Sequence, residues 1–255
     1  MSDSGLDEAI RAAGGVSELA RRIGISQPSV SNWSRVPAER VLAVEAATGV
    51  ARATLRPDLY GVHFAGPDEV ETARAREYAL LARLLGGAPD AAFLGLIARL
   101  RGDATPLGAA HARLAQAADG ASEEQIAREF FDLFIGVGRG ELLPYGSYYL
   151  TGFLNERPLA RLREDLRALG IERVETQCEP EDHAAILCEV MAGLTGGQFP
   201  ATVDRQRQIF EKHLAPWIGH FFADLATAEA ADFYCHVGAV GRLFIEIETE
   251  GFALP

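Results

Sequence analysis

Residues 129–150 read EFFDLFIGVGRGELLPYGSYYL, and the order of features inside this stretch decides the fold of most of the chain. Phe130, Leu133 and Phe134 recur at i, i+3 and i+4, so they share one face of a helix and mark a core stripe. Gly136, Gly138 and Gly140 then break the helix, and Pro144–Tyr145 opens an irregular, partly apolar loop. The glycines do not form a phosphate cradle. No strand pattern precedes them, no Gly-Lys-Ser/Thr follows, and Glu141 would repel phosphate.

Two further stretches continue the helical pattern. In CEPEDHAAILCEVM (178–191), Pro180 suits the first turn of a helix, and Glu181 and Asp182 suit its positive end. Ile186, Leu187 and Val190 then point inward. Cys178, His183 and Cys188 match no usual zinc spacing, so no metal or other cofactor is expected. Asp182 and His183 are adjacent but lack an accompanying nucleophile motif, which argues against an enzyme. The stretch RQRQIFEKHLAPWIGHFFADLATAEAADFYCHVGAVGRLFIEIE (205–248) reads as two amphipathic helices joined near Asp224–Thr227. Phe210, Leu214, Trp217, Phe221 and Phe222 form its buried stripe, and Pro216 implies a kink.

Over the whole chain, Ala/Leu/Arg/Glu stretches at helical spacing are broken by Gly and Pro, and alternating strand patterns are nearly absent. The expected fold is all-α, with later helices near 68–86, 89–101, 106–118, 122–136, 156–169, 181–195, 202–222 and 227–248. Ser122 and Gln125 have the spacing of a capping box.

Residues 70–250 resemble the TorD/DmsD/NarJ-type chaperones of redox-enzyme maturation. The resemblance rests on FxxLF (Phe130–Phe134), PYxSxYL (Pro144–Leu150), ExxDH (Glu179–His183) and HLxPW, in that order. It implies an all-helical binding protein without turnover. The implied partner is an apo molybdenum or tungsten oxidoreductase, held through its twin-arginine leader before cofactor insertion and export. By the same resemblance Leu133, Phe134, Pro144, Tyr145, Asp182 and His183 line the leader site. Glu179 or Asp182 would pair bidentately with guanidinium. His183→Ala or Asp182→Ala is then expected to weaken leader binding with the melting temperature nearly unchanged.

Toward the N-terminus, VSELARRIGISQPSVSNW (16–33) has the logic of a helix-turn-helix. Ala20 is small where two helices approach, Gly24 sits at the turn, and Leu19, Ile25, Val30 and Trp33 fill a small core. Ser26 is a good N-cap, with Pro28 in the first turn. Gln27, Ser29, Ser31 and Asn32 are left on the outer side, where Gln and Asn pair bidentately with adenine. Arg21, Arg22, Arg35 and Arg40 are placed for phosphates. Residues 5–61 resemble the Cro-like YdaS group of prophage repressors, which implies operator DNA as a second partner. The alternative is a small bundle used only for protein contacts.

Charge divides along the same line. Residues 1–60 hold seven arginines and seven acidic residues, so the net −12 of the 255-residue chain falls on the remainder. An acidic body favours cationic partners, and a helix-turn-helix without basic excess needs a dimer to grip an operator. A homodimer is therefore compatible with this reading. The expected layout is a helix-turn-helix domain at 1–60, a Gly/Pro-containing linker at 61–69 and a TorD-like chaperone domain at 70–255. The three cysteines give no disulfide framework, and no secretory signal or membrane span is visible, so a cytoplasmic location is expected. A second functional reading makes the chain a transcription regulator that uses the TorD-like domain as a client sensor.

Overall fold

The computed structural model describes residues 4–56, 69–172 and 179–254, and every regular element among them is helical. The chain divides into two compact units, Met1–Gly66 and Pro67–Pro255. Of the linker expected at 61–69, only Glu69 lies within the described residues.

The first unit runs α1 (Ser4–Ala13), α2 (Val16–Ile23), α3 (Gln27–Ser31), a 3-10 turn (Ala38–Arg40), α4 (Val41–Thr48) and α5 (Arg52–Leu55). Gly24 ends α2 at φ 71°, a left-handed conformation that costs little only without a Cβ, and its N–H returns to Ala20 O. Leu19, Ala20, Val30, Val41, Val44 and Leu55 are buried, with Ile25 and Trp33 packed half-buried against them. Ser26 stands at the N-cap of α3 as its sequence position suggests, but its hydroxyl bonds Ser29 Oγ (2.7 Å) rather than a helix N–H.

The second unit is a helical bundle: α6 (Glu69–Gly86), α7 (Ala91–Ile97), α8 (Pro106–Asp119), α9 (Glu123–Phe130), α10 (Gly146–Thr151), α11 (Arg157–Ala168), α12 (Ala184–Thr195), α13 (Val203–Ile209), α14 (Ile218–Thr227) and α15 (Phe233–Ala253). π-helical turns at Phe131–Ile135 and Phe210–Leu214 extend α9 and α13. The Ser122–Gln125 capping box is present at the start of α9. Tyr78, Leu81, Leu84, Leu187, Met191 and Phe222 are among its fully buried side chains.

The helix expected over 89–101 spans only Ala91–Ile97 and the last helix runs on to Ala253, and three further boundaries differ from the sequence pattern for a local reason. The helix expected over 202–222 breaks at 215–217, because Pro216 has no N–H to continue the ladder. The helix expected from 181 begins at Ala184, because Pro180 to His183 close a turn through His183 N–H to Pro180 O (3.0 Å). The last helix begins at Phe233 rather than 227. There the Glu129 carboxylate accepts from the backbone N–H groups of Asp232 (2.9 Å), Phe233 (3.1 Å) and Tyr234 (2.6 Å), which supplies the anion that a helix start favours.

Helices α14 and α15 approach closely through glycine. A Cβ on Gly238 would meet Ala226 N at 2.5 Å and Phe222 O at 2.8 Å, both backbone atoms that cannot step aside. Gly238→Ala is therefore expected to cost about 1–3 kcal/mol, read as a lowered denaturant midpoint. Gly219→Ala, which meets nothing within 4 Å, is the control.

Candidate functional site

The segments singled out by sequence meet at one joint. Tyr145 and His183 form an isolated antiparallel bridge, with Gly146 N–H to Asp182 O (2.9 Å) and Ala184 N–H to Pro144 O (2.8 Å). The Asp182 carboxylate closes it by accepting the Ser147 backbone N–H at Oδ2 (2.7 Å). This latch fastens the start of α10 to the start of α12 and is almost dry: Asp182 is 3% and Ser147 0% exposed. Asp182 Oδ1 and Ser147 Oγ are buried there with no hydrogen-bond partner among the described residues. An unpaired buried polar atom is costly, so these two mark the joint as a place of unspent hydrogen-bonding capacity.

His183 is the N-cap of α12. Its Nδ1 accepts the Ala185 N–H (3.1 Å), and its ring meets Tyr145 edge-on at 5.1 Å between centroids. Accepting at Nδ1 requires the neutral ring with its proton on Nε2. Burial holds the imidazole pKa below its usual value, against the opposing pull of Glu179 and Asp182. A depressed folded pKa means that the unfolded chain takes up the proton first. This contribution is therefore present above about pH 6.5 and is lost as pH falls through the folded value. His183→Asn keeps a capping side chain without that titration, so its stability should decline less than that of wild type between about pH 7 and 5 in chemical denaturation.

The other residues take different places. Tyr145, half-buried, donates its hydroxyl to Glu179 Oε2 (2.5 Å), and burial first and Glu179 second push the phenol pKa well above its usual value. Pro144 is buried at the latch. Leu133 is fully buried and Phe134 packs on Phe130, Tyr234 and Phe221, so both lie within the aromatic core beside the π-turn. The structure thus brings Pro144, Tyr145, Glu179, Asp182 and His183 together and gives Leu133 and Phe134 to the core. Trp217, missed as a site residue, packs its indole over Gly146 and donates Nε1–H to His213 O (2.7 Å). Next to the joint, Glu181 pairs with Arg163 (2.8 Å) at the edge of a groove of about 410 Å³ floored by Leu166, Ile186, Val190 and Phe199.

No cluster of three or more His, Cys, Asp or Glu among the described residues is arranged to hold a metal. Cys178 lies outside the described residues, and the buried Cys188 thiol is pushed up to about 12. No described helix is long and apolar enough to cross a membrane.

In the first unit Gln27, Ser29, Ser31, Asn32 and Arg35 are all exposed, and Gln27 Nε2 donates to Ser31 Oγ (2.9 Å). Arg21 and Arg22 share Glu18, through Arg21 Nε (2.9 Å) and Arg22 Nε (3.2 Å). Hydrogen bonds from Arg21, then Arg22, lower the Glu18 carboxyl to about 2. The charge of this arginine pair is accordingly divided with an acid.

Comparison with known proteins falls along the same division. Residues 100–223 match the family described as nitrate reductase delta subunit, and residues 6–63 match the family described as bacterial toxin YdaS. The chain is similar to the chaperone protein TorD of Vibrio cholerae, with 30% identity over 131 residues, 48% of this chain and 60% of the relative. TorD of Aliivibrio fischeri is 26% identical over 139 residues, 51% of this chain and 65% of that relative. The chain therefore spans about 60% of the length of the Vibrio cholerae protein, and the relatives are named as chaperones, not as enzymes. A protein from Archaeoglobus fulgidus assigned to redox enzyme maturation is similar in structure. Its TM-score is 0.47 at 22% identity, over 72% of this chain and 98% of that one.

Proposed function

We propose that this chain, which joins a YdaS-like segment to a TorD-like one, is a cytoplasmic maturation chaperone. It holds the apo form of a molybdenum or tungsten oxidoreductase, through a twin-arginine leader, until the cofactor is inserted. The observation that carries this reading is the latch. The motif residues Pro144 and Tyr145 on one segment and Glu179, Asp182 and His183 on another, at least 34 positions away, converge on one joint, inside the segment that matches the nitrate reductase delta subunit family. Tyr145 and Glu179 offer the accessible polar edge of that joint, and an acidic unit suits a cationic leader.

The test is titration calorimetry of the whole protein against synthetic twin-arginine leaders of molybdoenzymes, with Arg-Arg to Ala-Ala leaders as controls. Micromolar or tighter binding that is lost with Ala-Ala supports the reading. Absence of binding by every leader removes the leader from it.

A second reading, a transcription regulator whose second unit senses client, is favoured by the outward row of Gln27, Ser29, Ser31 and Asn32 on α3. Client occupancy would shift operator affinity only if leader binds the DNA-competent and incompetent states differently. A gel shift with DNA from upstream of the operon, with and without leader, tests it. Identical shifts eliminate the coupling, and no shift with any fragment leaves the first unit to protein contacts.

A further inference from the structure

Several carboxylates of the second unit are committed to its own fold. Glu129 caps α15, Glu141 accepts from Glu229 N (2.8 Å) and Ala230 N (3.0 Å), and Glu248 and Glu181 hold arginines. Glu179 and Asp224 differ. Both are exposed, and each accepts a tyrosine hydroxyl, Tyr145 to Glu179 and Tyr149 to Asp224 Oδ2 (2.9 Å), with no cationic partner among the described residues. A neutral donor fixes the position of a carboxylate and leaves its charge in place. Tyr149 follows Tyr145 by four positions, its N–H on Tyr145 O (3.1 Å), so both anchors spring from the start of α10.

Directly after Tyr149 the chain holds large apolar side chains in water. Leu150 is 42%, Phe153 69% and Leu154 44% exposed. The turn that displays them is built: Thr151 Oγ1 donates to Ser147 O (2.8 Å), Phe153 N–H returns to Thr151 Oγ1 (3.3 Å), and Gly152 is left-handed at φ 79°. Asn155 closes it at φ 60°, where alone among the described residues a non-glycine takes positive φ. Backbone held in a sparsely populated region persists where its surroundings require it. Three large apolar side chains exposed within a five-residue span, beside fixed charge, fit an interaction surface.

We propose that α10 and the turn that follows it form the docking surface for a peptide with two neighbouring guanidiniums and an apolar run. Glu179 and Asp224 take the cations, and Leu150, Phe153 and Leu154 take the apolar residues. The assignment rests on the leader reading above and adds Asp224 and the 150–155 turn to it. Charge complementarity selects this occupant, because the whole net −12 lies outside residues 1–60.

Fluorescence anisotropy of the full chain tests it, with a labelled peptide carrying Arg-Arg followed by an apolar run and its two single Arg→Ala versions. Asp224→Asn and Glu179→Gln should each weaken binding about fivefold, and Phe153→Ser/Leu154→Ser by at least about tenfold. Glu250→Gln, an exposed acid on α15, should change nothing. Asp224→Asn should also lose its effect against one of the two single-Arg peptides, which identifies the paired guanidinium. Wild-type binding that survives Asp224→Asn and the double serine variant unchanged overturns this surface while leaving the leader reading intact. No binding of the peptide to wild type overturns both. If the double serine variant instead dissociates an oligomer in light scattering and leaves peptide binding unchanged, the surface joins copies of the chain and the proposal fails.

Discussion

Asp182→Ala should lower the stability of the second unit by about 2–4 kcal/mol. It removes a charge-assisted bond and strands the Ser147 N–H in a dry joint. At the usual scaling for a domain of this size, that is roughly 5–12 °C in melting temperature. The resemblance alone suggests a binding residue whose loss leaves melting unchanged. The geometry argues for a residue that joins two segments 35 positions apart. Asp182→Asn keeps an acceptor oxygen and should lose only about 1 kcal/mol. Thermal denaturation followed by circular dichroism separates these outcomes, and an alanine variant melting within a degree of wild type would show that the latch bears no strain. Leader affinity of the variants is then meaningful only below their transitions, with Asp182→Asn as the informative one.

A larger loss is expected at the far end of α6. Arg74 grips Glu248 through Nε (2.6 Å) and Nη2 (2.8 Å), bonds Gln206 through Nη1 (3.1 Å) and stacks over Phe252. Tyr78 donates its hydroxyl to the same carboxylate (2.8 Å). Glu248 is 3% exposed, so Arg74→Ala leaves a buried carboxylate without its counter-ion and should cost about 3–5 kcal/mol. Arg74→Met with Glu248→Leu should recover most of the loss, since the attraction chiefly offsets the desolvation of its own two charges. Chemical denaturation is the measurement, and an Arg74→Ala loss below about 1 kcal/mol would show that Glu248 finds water or another donor.

Element identity was legible wherever a periodic apolar stripe was long, as in α6, α8 and α15. It was not legible where tertiary contacts set the ends. Pro180 reads as a first-turn proline, but the helix waits for the His183 cap, which exists only because Tyr145 pairs with that strand-like segment. The six-residue α10 has no apolar period of its own, and its start is set by Asp182 from across the joint. The same limit applies to the site. Motif order brought out Pro144, Tyr145, Glu179, Asp182 and His183, whereas Asp224 and Trp217 enter through contacts with Tyr149 and Gly146 that no spacing encodes. In the first unit, counting arginines overstated the available charge. Glu18 lies one helical turn from both Arg21 and Arg22, a pairing visible in the i, i+3 and i+4 spacing.

The chain has two tryptophans, and the fold gives one to each unit. Trp217 is buried against the α10 end of the latch, while Trp33 is half-buried in the helix-turn-helix core. The two indoles therefore form a pair of built-in optical reporters, one shielded from solvent and one partly wetted. Phenylalanine at either position would leave a single emitter, so that melting of each unit is recorded without an attached dye.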